Sequence, residues 1–411
     1  MRNAFMWTGR GAAALALVGA MLVAPSVHPA VQMKIPSKVS AVSGSATKRN
    51  SLGGTETPIV ASGASTAIRP DNLQVTGSYI EASVSKEHKN SSPNYPFGAE
   101  VNEKEGWVVL SVCVKIDGSV DHVVIDQSSG VAQFEMSALN SVRQYRFTPA
   151  THDGEPIEQC GLRVRINFAI HDLPRGARSS FRNVYDKARR ALDSESYGEA
   201  KSLLEKLRPW NNYEGAYAAV LRLRVAVIEG DDDEALDQLR EALRFNKVLE
   251  HPMERDLQHL RLSYELKAHR FADVLAQFDE LELSKFEFNA MELSARSQLR
   301  TMLRSDQPIA TPGKLKRQSR LPDELASWSV GLLRREIQFE NLFGSFDRFE
   351  LRCDFKRFVA KLNDTSTWKV PATWGACSLY VFGSEGATLK LVEYSPATAA
   401  TPPAPIPAPG H

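Results

Sequence analysis

The sequence predicts a multi-domain α+β protein: a ββαβ unit, then α-helical hairpin repeats, then a small all-β unit near the C-terminal end. Three patterns predict it. Apolar residues alternate over 107–116 and 162–170, recur with helical period over 175–300, and return after 328 as short runs divided by turn signals. The chain of 411 residues has room for roughly two to four domains. Its 50 Lys+Arg nearly balance 49 Asp+Glu, and 43% of residues are hydrophobic. That composition excludes a wholly disordered chain. It also argues against a nucleic-acid binder, which needs a basic surplus to neutralise phosphates.

The N-terminal end carries Arg2 and Arg10, then an apolar run from Gly11 to Ala24. A cationic start followed by an apolar stretch of this length reads as a signal peptide or an N-terminal membrane anchor over residues 1–30. Either reading places the rest of the chain outside the cytoplasm: anchored to the inner membrane by residues 11–24, or released into the periplasm after cleavage. Residues 31–94 are rich in Ser, Thr, Ala, Val and Gly, with Tyr79 the one aromatic before Tyr95, and read as a disordered tether.

The first folded unit spans 95–171. Val108, Leu110, Val112, Val114 and Ile116 share one face of a strand, Asp117-Gly118 marks a turn, and Val120 to Gln127 continues as the hairpin partner. Ser128-Ser129-Gly130 breaks that strand. Phe134, Ala138, Leu139, Val142 and Tyr145 then recur at helical spacing over about 133–145. Leu162, Val164, Ile166, Phe168 and Ile170 form a third strand, alternating with Arg163, Arg165 and Asn167. The β–α–β step makes strands two and three parallel, so strand three should lie antiparallel beside strand one and form a sheet edge.

Residues 175–300 read as stacked helical hairpins. Ala200, Ala235 and Ala272 sit in related motifs (Tyr197-Gly198-Glu199-Ala200, Asp233-Glu234-Ala235-Leu236, Arg270-Phe271-Ala272-Asp273) at spacings of 35 and 37, each opening a second helix. The pattern is similar to a degenerate tetratricopeptide (TPR-like) array, whose concave surface takes peptides. Residues 305–324 read as a polar, basic linker and 325–395 as the small β unit, with Gly383-Ser384-Glu385-Gly386 as a hairpin turn. The tail, 396–411, is Pro/Ala-rich and reads as disordered.

The four cysteines allow three pairings, and domain locality favours Cys113 with Cys160 and Cys353 with Cys377, as disulfides of an oxidising compartment. Alternation puts Cys113 on the polar face of its strand and Cys160 in step with the apolar face of its own. A bond therefore requires a break in alternation, which a bulge at Gly161 would supply. Nothing in the sequence has the spacing of a catalytic or metal motif: no GxSxG, GxxxxGK[ST] or HExxH occurs. His122 reads as a sheet residue and Asp231-Asp232-Asp233 as a helix start. The expectation is a non-enzyme without cofactor or metal.

Tyr95-Pro96, Glu105-Gly106, Asp117-Gly118, Ser128-Ser129-Gly130, Val142 to Ala150 (VRQYRFTPA) and Asp153-Gly154-Glu155-Pro156 resemble the C-terminal domain of TonB energy transducers. The resemblance implies partners: a TonB-dependent outer-membrane receptor, whose N-terminal segment adds to the last strand, and a proton-driven inner-membrane motor complex. The pairing strand it implies is Arg163, Val164, Arg165, Ile166, Asn167 and Phe168, with main-chain bonds for affinity and Arg163, Arg165 and Asn167 for selectivity. The alternative is a non-energising periplasmic scaffold or peptide-binding protein built from the same units. The Ser/Ala-rich tether and the roughly 240 residues after this unit point that way.

Overall fold

A computed structural model describes residues 59–60, 79–85, 93–102, 104–170, 176–244, 248–362 and 367–395. The expected leader over 1–30 and the tail over 396–411 lie outside the described residues. Three short strands come first: β1 (Ile59–Val60), β2 (Tyr79–Ile80) and β3 (Ser83–Val84). After a short helix, α1 (Phe97–Val101), follow β4 (Gly106–Val114), β5 (Val120–Ser128), α2 (Ala132–Val142), β6 (Phe147–Thr148), β7 (Ala150–His152), β8 (Glu155–Ile157) and β9 (Gln159–Phe168).

The strand order is β1-β9-β4-β5, so β9 lies antiparallel beside β4, with Leu110 opposite Val164. Alternation explains the core of this unit. Val108, Leu110, Val112, Val114, Val164, Ile166 and Phe168 face α2, which buries Phe134, Ala138, Leu139 and Val142 against them. Phe134 stacks on Phe168 with centroids 4.3 Å apart, and Tyr95 meets both rings edge-on. Ile116, expected on the same face, lies beyond the end of β4 and is exposed. Gly118 makes the turn at φ 75°, and a Cβ there would fall 2.1 Å from the Phe147 carbonyl oxygen.

Part of the expected tether is structured. β2 pairs with β7 and β3 with β6, while Ala82 between them is buried and donates its N–H to Gln159 Oε1 at 2.7 Å. Two-residue strands are too short to show a period, so their pairing depends on partners some 65 residues downstream.

Seven helices follow: α3 (Ser179–Asp193), α4 (Tyr197–Lys206), α5 (Asn212–Glu229), α6 (Asp232–Ala242), α7 (His251–Lys267), α8 (Phe271–Leu283) and α9 (Ala290–Arg304). The repeated motifs open α4, α6 and α8, the second helix of each hairpin. Gly230 ends α5 at φ 72°, and Asp231 caps α6 by accepting the Glu234 N–H at 3.0 Å. Ala216, Ala218 and Ala219 keep α5 slim at the centre of the hairpin core.

The last strands are β10 (Ile309–Lys314), β11 (Ala326–Gly331), β12 (Glu336–Phe343), β13 (Phe346–Cys353), β14 (Arg357–Ala360), β15 (Thr367–Lys369), β16 (Cys377–Gly383) and β17 (Thr388–Tyr394). They form two four-stranded sheets, β10-β17-β12-β15 and β11-β16-β13-β14, enclosing Trp328, Phe339, Phe349, Leu379 and Leu391. Two expectations change here. Gly383–Gly386 connects strands of different sheets and is not a hairpin turn. Residues 305–324 are not a free linker: β10 pairs along β17, Lys316 reaches Asp237 at 2.6 Å, and Ser319 Oγ and the Arg320 N–H each donate to Glu135 at 2.8 Å. The segment clasps acidic groups on both earlier units, through the Lys316 ammonium to Asp237 and through the Ser319 hydroxyl and the Arg320 backbone N–H to Glu135.

Candidate functional site

The site is the outer edge of β9. Its inner edge pairs with β4 from Gly106 opposite Phe168 to Val114 opposite Gln159. On the outer edge, Ile59 lies opposite Arg165 and Val60 opposite Val164, antiparallel. Among the described residues, Leu162, Arg163, Ile166, Asn167 and Phe168 have no strand partner on that side. The rim expected to be open is therefore crossed at its centre by a segment of the same chain.

Val164, Ile166 and Phe168 point into the core, while Arg163, Arg165 and Asn167 lie on the opposite face and are half-buried. These three polar side chains are committed within the chain. Arg163 pairs with buried Asp126. Burial works against the Arg163 charge, but Asp126 together with Tyr380 and Asp273 outweighs it and raises the guanidinium pKa. Arg165 Nε donates to Asn167 Oδ1 at 3.0 Å, and its Nη1 donates to the Arg244 carbonyl oxygen at 3.0 Å.

The rest of that face is an interface as well. The Arg244 guanidinium lies over the Trp107 ring and donates to Gln127 Oε1 at 2.9 Å. Burial pushes its pKa down to about 10 in spite of nearby Glu241. Arg352 Nη1 donates to the Ser111 carbonyl oxygen at 3.1 Å and to Ser111 Oγ at 3.2 Å. Trp107 and Ser111 are consequently buried on the face that alternation marks as polar, and Cys113 is buried on it in its bond to Cys160. A tryptophan and a cysteine at polar-phase positions are the sequence signal that something covers this face.

Both cysteine pairs are bonded, Cys113–Cys160 and Cys353–Cys377. Cys353 and Cys377 lie directly opposite each other in β13 and β16. At the first pair the β4–β9 register shifts between Val112 and Val114, and Gly161 has φ 77°, so the alternation breaks where the parity argument requires. Glu158 lies near both sulfurs of that pair, the one metal-like grouping among the described residues, but bonded sulfurs are poor ligands. His122 is exposed on β5 at φ 48°, next to Asp121. Among the described residues no helix is long and apolar enough to cross a membrane.

Residues 91–170 match the family model described as Gram-negative bacterial TonB protein C-terminal. Protein TonB of Xanthomonas campestris pv. campestris (strain B100) is 33% identical over 94 residues, 22% of this chain and 41% of that protein. Protein tonB2 of Pseudomonas aeruginosa is 32% identical over 82 residues, 20% of this chain and 30% of that protein. The chain thus spans well under half the length of these curated relatives. The solution NMR structure of the Pseudomonas aeruginosa TonB CTD aligns at 21% identity over 21% of this chain and 85% of its own, with a TM-score of 0.17. Residues 91–170 are a domain of the TonB C-terminal family, about a fifth of a chain that continues through helical hairpins and two packed sheets.

Proposed function

We propose that this chain is an envelope protein with a TonB-like role in energy transduction, and that β9 takes an extended segment of an outer-membrane receptor as an added antiparallel strand. One observation carries the reading: the outer edge of β9 accepts an extended segment, since Ile59–Val60 already pairs there. Selectivity then comes from the backbone register and from the guest's own side chains, because Arg163, Arg165 and Asn167 are engaged elsewhere. The N-terminal segment would anchor the chain or direct its export, and a proton-driven motor would act through it. The TPR-like hairpins would add a second, peptide-binding partner surface. No catalytic step belongs to this function.

The test uses a ten-residue peptide from the N-terminal segment of a TonB-dependent receptor, with and without N-methyl groups at alternate backbone nitrogens. Anisotropy titration of the full chain should show the methylated peptide at least about tenfold weaker, because a ladder bond to a methylated nitrogen is lost. Equal affinities would reject strand addition. The scaffold reading draws support from the Arg244–Trp107 and Arg352–Ser111 contacts, which tie the domain to the later units. N-terminal sequencing of membrane-fraction protein separates the two: retention of Arg2 to Ala24 favours a tethered transducer, and loss of that segment favours the scaffold.

A further inference from the structure

From the pairing of β1 with β9 we infer that the chain carries its own competitor for the receptor site: the segment at Ile59–Val60 occupies the rim in cis and has to leave before a guest strand pairs there. The inference rests on the strand-addition reading above and assigns a regulation to the same site.

Any strand added to this edge uses the outward N–H and C=O groups of β9, and along Val164–Arg165 that edge is taken by β1. The two occupants are mutually exclusive there. The geometry allows the cis arrangement, since eighteen residues separate Val60 from Tyr79, a reach of up to roughly 60 Å. An intramolecular segment on such a connection competes at an effective concentration on the order of millimolar. A guest's apparent affinity falls by the fraction of rims that stand free.

The competitor is also built to yield. Among the described residues its ladder has two residue pairs, against eight between β4 and β9. The neighbouring β2–β3 segment differs, because buried Ala82 and its bond to Gln159 fix it to the domain. Leu162 and Arg163 on one side of the β1 ladder, and Ile166 to Phe168 on the other, have no strand partner on this edge among the described residues, and they are where a guest would start before β1 is displaced.

The experiment compares the full chain with its I59P/V60P variant, in which neither residue can donate to a ladder. Near-UV circular dichroism and intact disulfides confirm the fold of the variant. The first readout is hydrogen exchange of the Leu162–Phe168 amides. The second is binding of a fluorescent peptide with the chain's own sequence from Thr55 to Ser62. The cis competitor predicts exchange at the rim at least about fivefold faster in the variant, and tighter peptide binding by a similar factor. Identical exchange and identical affinity would overturn it. So would rim protection that appears only at concentrations where the protein dimerises, which would place the strand in trans. The receptor peptide separates the two claims. If it binds neither protein while the own-sequence peptide behaves as predicted, the receptor reading fails and the competitor stands. If it binds both proteins equally, the competitor fails and the receptor reading stands.

Discussion

The guanidinium of Arg244 lies 3.4 Å from the centroid of the Trp107 ring, joining the second helical hairpin to β4. Trp107 is buried by this contact, and the Arg244 carbonyl oxygen also receives Arg165 Nη1 from β9. A desolvated cation–π pair contributes about 2 kcal/mol, and the Gln127 bond adds to it. Arg244→Ala should therefore cost about 2–3 kcal/mol in urea unfolding. Arg244→Lys keeps the charge but loses the planar fork, and should cost about half as much. If Arg244→Ala leaves the urea midpoint unchanged, the stacked pair does not hold the two units together.

This contact marks the limit of what could be read from the chain. The alternation at Val108 to Val114 and the helical period of Phe134 to Val142 report local burial against one another, and both appear where expected. Trp107 and Ser111 follow the same alternation but are covered by Arg244 and Arg352, which lie some 140 and 240 residues downstream. No local period encodes a cover that arrives from so far along the chain. The rim of β9 was legible for the same reason that its occupant was not. Ile166 and Phe168 announce a strand, whereas two residues in a polar, low-aromatic segment announce nothing.

The Cys113–Cys160 bond closes a longer loop than Cys353–Cys377, with sequence separations of 47 and 24. Chain-entropy arguments then give about 4 kcal/mol for the first and about 3.5 kcal/mol for the second. Paired Cys→Ser replacement should lower the urea midpoint in that order, and a reductant should lower the midpoint of the unaltered protein. The bulge makes its own prediction. Gly161 sits at φ 77°, where a β-carbon costs about 1–2 kcal/mol, so Gly161→Ala should be destabilising with the disulfide still formed. A neutral Gly161→Ala would mean that the alternation breaks elsewhere.

Glu350 is buried under three arginines. Its carboxylate meets Arg352 at 3.1 Å, and Arg348 and Arg357 at 3.0 Å each. Burial pushes its pKa up, but the arginines win and hold it near about 2. A carboxyl group whose folded pKa is depressed stabilises the protein above the unfolded value and loses that contribution as pH falls. The loss should run from about pH 4.5 down toward 2 and reach on the order of 3 kcal/mol. Glu350→Gln should flatten that acid limb. It should also destabilise the protein by about 3–5 kcal/mol at pH 7, because Arg352 stays buried without its counter-charge. An unchanged acid limb in the variant would assign acid sensitivity to other carboxylates.

Glu393 has the opposite sign and a separate pH window. It is buried on β17 and accepts the Leu333 N–H at 2.7 Å and the Arg334 N–H at 2.8 Å. The Arg334 guanidinium donates instead to the carbonyl oxygens of Met302, Ser305 and Gln307, at the end of α9. Burial therefore dominates and pushes the Glu393 pKa up to about 7, in spite of the two N–H bonds and the Arg334 charge. The folded state favours the proton here, so the contribution of Glu393 to stability is greatest at low pH and declines as pH rises from about 4.5 to 7, after which it levels off. Glu393→Gln keeps an acceptor for both N–H groups and removes the charge. The variant should gain about 2–3 kcal/mol over the unaltered protein at pH 8 and show little difference at pH 4.5, read from urea midpoints at both values. A variant less stable than the unaltered protein at pH 8 would show that the carboxylate is favoured at this site, and that its two N–H bonds outweigh its burial.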